Sequence, residues 1–97
     1  MNVIFSTIAV EELNDAINFY NLESEELSHR FEDEIKKSIN RILGYPYSWS
    51  IEKWDLRKCL LHKFPYKILY SVEDNHIFII AVAHQHRKPD YWVDRES

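Results

Sequence analysis

Residues 66–83, YKILYSVEDNHIFIIAVA, decide how this chain folds. Tyr66, Ile68, Tyr70 and Val72 alternate with Lys67, Leu69 and Ser71, the period-two signature of a half-buried strand. Glu73-Asp74-Asn75 is a turn. His76 to Ala83 is then apolar at almost every position, so both faces of this strand must be covered. The pattern predicts an inner strand with Ile77, Ile79 and Ala81 facing one side of the sheet and Phe78, Ile80 and Val82 the other.

Upstream, Leu56 to Lys63 (LRKCLLHK) reads as a further strand, with Phe64-Pro65 breaking it from the next. Residues 45–55 (YPYSWSIEKWD) read as an aromatic-rich loop. Before that loop the period becomes helical. Leu13, Ala16, Ile17 and Tyr20 fall on one face of a first helix with Thr7 as its expected N-cap, and Glu11 and Glu12 near the positive end of its dipole. Leu27, Phe31, Ile35, Ile39 and Ile42 form the stripe of a second helix capped by Ser24. Glu32 with Lys36 and Asp33 with Lys37 are favourable i,i+4 pairs on its outer side. Gly44, the only glycine, is expected to cap its end, and Pro46 forbids continuation. Asn2 to Ser6 (NVIFS) supplies a first strand. The order is β-α-α-β-β-β: an α+β domain in which an antiparallel meander carries an αα-hairpin on one face.

Ninety-seven residues suit one domain with one modest core, so residues 1–97 read as a single unit. The single cysteine, Cys59, rules out an intramolecular disulfide and suits a reducing compartment. The first residues lack the basic start of a signal peptide, and Ile77 to Ala83 is too short to span a bilayer, so a cytoplasmic protein without membrane contact is expected. The net charge of −4 is unevenly shared. Residues 1–51 hold four Lys/Arg against nine Asp/Glu, whereas residues 52–97 hold eight against seven and four of the five His. Neither half has the positive excess of a protein whose affinity rests on neutralising phosphates.

The chemistry-bearing residues gather at the end, in AVAHQHRKPDYW, residues 81–92. His84 and His86 are of the side-chain type that can serve as general base or acid. They share one side of an extended segment, but a zinc site needs three or four ligands and Cys59 is the only thiol, so no metal and no cofactor is expected. Tyr91 and Trp92 after Pro89 read as an aromatic anchor for the tail. Trp49 and Trp54 read as lid-like core in the middle loop. Arg57 and Lys67 fall on the outward side of their strands, where cations solvate an edge.

The element order, the segment LRKCLLHKFPYKILYSV (residues 56–72) and the closing AVAHQHRKPDYWVDR (residues 81–95) resemble the RelE/ParE superfamily of bacterial type II toxins, the ParE-like branch more than the RelE-like. The resemblance spans essentially the whole chain. It implies a growth-inhibiting toxin of the plasmid-stabilisation kind, held inactive by a cognate antitoxin protein. ParE-like members bind and inhibit DNA gyrase. RelE-like members cut mRNA on the ribosome without metal.

For a RelE-like ribonuclease the resemblance points to Lys67, His84, His86, Arg87 and Tyr91 as base, acid and phosphate-binding groups. Lys67 stands where those enzymes often carry Arg, and it lacks the bidentate grip of a guanidinium. The catalytic members are strongly basic, and this chain is acidic. The expectation is therefore a docking edge for target or antitoxin, built from Arg57, Arg87, Lys88, Tyr91, Trp92 and Arg95, with the ribosome and mRNA as the alternative target.

Overall fold

The doubly apolar stretch is an inner strand. In the computed structural model, which describes residues 1–87, β5 (His76–His84) lies between β1 (Asn2–Phe5), to which it is parallel, and β4 (Tyr66–Val72), to which it is antiparallel. β3 (Leu56–Leu60) pairs antiparallel with β4, and β2 (Ile51–Lys53) pairs antiparallel with β3, so the sheet order is β1-β5-β4-β3-β2. The fold is α+β, with one strand more after the helices than the periodicity predicted. The extra strand, β2, lies inside the segment read as a loop. Three residues are too few for a period-two signal, and β2 exists because its backbone reaches β3 across a tight turn with Trp54 at φ 54°. β3 also ends earlier than expected, at Leu60 and not Lys63; Lys63 sits at φ 68°, a left-handed conformation that ends an extended run.

α1 (Thr7–Glu23) and α2 (Glu25–Gly44) form the hairpin on one face, separated by Ser24 alone. Ser24 closes α1 with its backbone amide and opens α2 with its hydroxyl, which accepts from the Leu27 amide at 3.0 Å. The cap of α1 is Ser6, one residue before the predicted Thr7. Its hydroxyl accepts from the Ala9 amide at 3.0 Å and donates to the Ile80 carbonyl at 2.9 Å, so one side chain starts the helix and ties it to β5. Gly44 is the last helical residue and not the cap, which is Tyr45 at φ −146°. No left-handed residue is needed there.

The helix-facing side of the sheet holds the main core: Phe31, Ile35 and Ile42 of α2 and Ala9 and Ala16 of α1 pack against Cys59, Ile68, Tyr70, Ile77, Ile79 and Val82. The opposite face holds a smaller buried cluster of Leu56, Leu69, Ile80 and Ala81, with Phe78 beside it. Ala81 and Val82 have therefore exchanged the sides that strict alternation assigns them. The cause is a β-bulge: Tyr70 pairs with Ile79 and Leu69 with Ala81, leaving Ile80 as the extra residue. Past the bulge the alternation runs in opposite phase. Among the described residues no helix is long and apolar enough to cross a membrane.

Candidate functional site: a cleft where α1 crosses the end of β5

β1 pairs with β5 only as far as Ile79. Beyond that point α1 crosses the flank of β5. Glu12 accepts a hydrogen bond from the Val82 amide at 3.0 Å, satisfying a strand donor that β1 does not reach. Glu12, Asp15, Ala16 and Phe19 recur at helical spacing along one side of α1. They form one wall of a cleft of about 240 Å³ whose other walls are Tyr66, Val82, Ala83, His84 and Arg87. The small side chains of Ala16 and Ala83 leave room for the cleft, while Glu12, Asp15, His84 and Arg87 make its lining polar.

Local backbone bonds hold the far wall. The Gln85 amide donates to the Pro65 carbonyl at 2.9 Å, and the Arg87 amide closes a turn on the His84 carbonyl at 2.9 Å. The His86 amide donates to His84 Nδ1 at 3.3 Å, which makes that nitrogen an acceptor. The His84 ring lies 5.8 Å from Tyr66 and 5.3 Å from His86. Tyr66 also stacks edge-on against Phe31 and Tyr20, anchoring the wall in the core. Burial raises the pKa of Tyr66, and burial together with the nearby Tyr66 and Glu23 raises that of Tyr20, so both phenols stay protonated near neutrality. Tyr66 is therefore a donor in this cleft and not a base.

The candidate residues are dispersed. His84, His86 and Arg87 are exposed together at the end of β5. Lys67 is not with them, nor is it a solvated edge cation. Its side chain is 4% exposed and its Nζ sits 2.7 Å from Glu52 Oε1, on a carboxylate side chain that is 5% exposed. Glu52 comes from β2, the strand that the sequence did not disclose, so the buried partner of Lys67 was equally hidden. Arg57 is held by local structure: Nη1 donates to the Tyr47 and Trp49 carbonyls at 3.0 and 2.8 Å, and the guanidinium lies over the Tyr47 ring. Trp49 does pack against the core, as predicted, whereas Trp54 is exposed. Lys88, Tyr91, Trp92 and Arg95 lie outside the described residues.

A second polar network lies behind the β3–β4 turn. The Glu34 carboxylate, largely buried on α2, accepts from the His62 amide, Arg41 Nη2 at 2.9 Å and Ser38 Oγ at 3.2 Å. Burial opposes its ionisation, but the His62 amide and Arg41 outweigh that and hold the carboxyl below its ordinary value. Cys59 is fully buried; burial raises its pKa despite the nearby Arg41 guanidinium, so it packs as a neutral thiol. Among the described residues, no three His, Cys, Asp or Glu side chains are grouped to hold a metal ion.

Sequence reasoning missed the α1 wall. Glu12 was read only as a complement to the helix dipole, and Phe19 lies beside the apolar stripe, not on it. The available signal was the run Glu12, Asp15, Ala16, Phe19, a second face at helical spacing.

Comparison with known proteins places this architecture. No curated protein matches the sequence. The chromosomal ParDE toxin–antitoxin system from P. aeruginosa superposes with a TM-score of 0.75 at 15% identity, covering 87% of this chain and 95% of that one. The intact E. coli RelBE toxin–antitoxin complex superposes with a TM-score of 0.66 at 21% identity, covering 89% and 98%. At these identities the likeness is one of fold. The family profile described as the ParE toxin of the type II toxin–antitoxin system parDE matches residues 3–89. With nearly the whole chain inside that match, it belongs to the ParE toxin family of type II toxin–antitoxin systems.

Proposed function

We propose that this toxin is neutralised by a cognate antitoxin and acts by binding a cellular target such as DNA gyrase, without cutting RNA. The observation that carries the reading is the state of Lys67. Metal-free cleavage of RNA needs cations free to meet the pentacoordinate phosphate. The Lys67 ammonium is spent on Glu52 inside the protein, and Arg57 is spent on loop carbonyls. His84, His86 and Arg87 are exposed at the end of β5, where a partner can contact them. The acidic net charge of −4 weighs in the same direction, because docking on ribosomal RNA favours basic proteins.

The decisive experiment compares two assays on purified toxin. DNA supercoiling by gyrase is expected to be inhibited, and mRNA on programmed ribosomes to stay intact. Addition of the product of the adjacent reading frame is expected to relieve the inhibition. Tyr91→Phe removes one hydroxyl and keeps the ring. It should be almost silent for a docking toxin and cost roughly 10²- to 10⁴-fold for an enzyme using that hydroxyl in proton transfer. Ribosomal mRNA cleavage lost with Tyr91→Phe would overturn the docking reading. Cytoplasmic action belongs to the same proposal.

A further inference from the structure

Two concave surfaces flank α1, and their chemistry differs. One is an apolar groove lined by Phe5, Leu13, Ile17, Ile35 and Ile39, with Glu32 and Lys36 at its rim. The other is the polar cleft of Glu12, Asp15, Phe19, Tyr66, His84 and Arg87. Permanent interfaces resemble a core cut in half, whereas transient ones are more polar and rely on a few anchors. That division assigns the cleft, not the groove, to a partner that comes and goes.

The charge of α1 says what kind of partner fits. Residues 7–23 contain Glu11, Glu12, Asp15 and Glu23 and no Lys or Arg. Next to this acidic wall two large apolar side chains stand in solvent, Phe19 at 58% and Leu22 at 87% exposure. Phe19 and Tyr66 present aromatic surface to the cleft, a setting that favours an incoming cation. The volume, about 240 Å³, suits one side chain and not a whole helix.

We propose that this cleft docks the cellular target through a basic, amphipathic segment. A Lys or Arg side chain of that segment meets the exposed Asp15 carboxylate beside the Phe19 and Tyr66 rings, while Glu12 stays on the Val82 amide, and an apolar neighbour covers Phe19 and Leu22. The proposal rests on the docking reading of the β5 edge and adds the chemistry of the segment docked.

Its test uses the full-length chain and two exposed α1 positions outside the residues considered for RNA cleavage. The probe is an amphipathic Lys/Leu peptide, with a Glu/Leu peptide as control, followed by amide chemical shifts. Shift changes are expected at Asp15, Phe19 and His84 with the basic peptide only. Asp15→Lys and Phe19→Ser should each weaken that binding about tenfold or more, and Asp15→Glu should preserve it. In cells both disruptive variants should lose toxicity while keeping their affinity for the antitoxin. Shifts confined to the groove of Phe5, Leu13 and Ile35, equal binding of the acidic peptide, or full toxicity of Asp15→Lys would overturn the inference. So would loss of antitoxin affinity in these variants, which would make the antitoxin the occupant. Toxicity that depends on Asp15 while gyrase is unaffected would instead support the cleft and sink the choice of gyrase.

Discussion

Lys67 and Arg87 lie at the same end of the sheet, on neighbouring segments, and have opposite fates. Lys67 pairs in register with Ala83 of β5, yet its ammonium is enclosed against Glu52 on the face away from the helices. Arg87 follows three residues after the end of β5 and lines an open cleft. A charge inside a protein is tolerated only when paired, and it then serves the fold; a charge on an exposed rim stays within reach of solvent and of an incoming partner. The contrast teaches that a cation on a strand becomes architecture once a carboxylate is folded over it.

Removing one partner of the enclosed pair is the harshest test of that contrast. Lys67→Ala should destabilise the protein by about 3–5 kcal/mol, because it leaves the Glu52 carboxylate buried and unpaired. Urea denaturation measures it. The double variant Lys67→Met with Glu52→Leu should recover most of the loss, since apolar side chains of similar volume replace a buried pair at little cost. If Lys67→Ala proved as mild as a surface change, the pair would not be enclosed and Lys67 would return as a candidate for chemistry.

The Glu34 network is intermediate, a charge tied to a turn. Glu34→Gln should cost about 1–3 kcal/mol through weakened bonds to Arg41 and the His62 amide. Its folded pKa lies below the ordinary 4.5, so its contribution is complete above pH 4.5 and is lost as pH falls through the lower folded value. Stability measured from pH 7 down to 3 should therefore drop more steeply in the parent than in Glu34→Gln.

A neutral buried bond should matter less. The Tyr70 hydroxyl donates to the Pro46 carbonyl at 2.6 Å, and its pKa is strongly raised, chiefly by burial. Tyr70→Phe should cost about 1 kcal/mol, read from the denaturation midpoint. At the far end of the scale, His86→Ala, on the exposed turn, should change stability by less than about 0.5 kcal/mol. A larger effect there would mean that the edge is structural, which erases the difference between the two regions.

How much of this was legible can be argued residue by residue. Ser24 was readable as a cap because its role is local, three residues from the amide it binds. Thr7 was misplaced by one residue because Ser6 owes its position to Ile79 and Ile80, more than seventy residues away in the chain. The apolar run of β5 announced an inner strand, but the bulge at Ile80 changes no composition, so nothing in the run revealed that Ala81 and Val82 would trade faces. His84, His86 and Arg87 could be named as a surface edge from their clustering alone. The α1 wall opposite them could not, because no local rule brings residue 12 to residue 82.

Local periodicity and capping chemistry thus determined the α+β class, the helical hairpin, the inner position of β5 and the polarity of its far end. These depend on interactions within a few residues, and hydrophobic burial acts on them in any compact fold. Only the tertiary structure decided the partner of Lys67, the phase of β5 past Ile80 and the cleft beneath Phe19. Each arises where two distant segments meet, and a buried charge or an edge amide takes whichever partner the packing delivers.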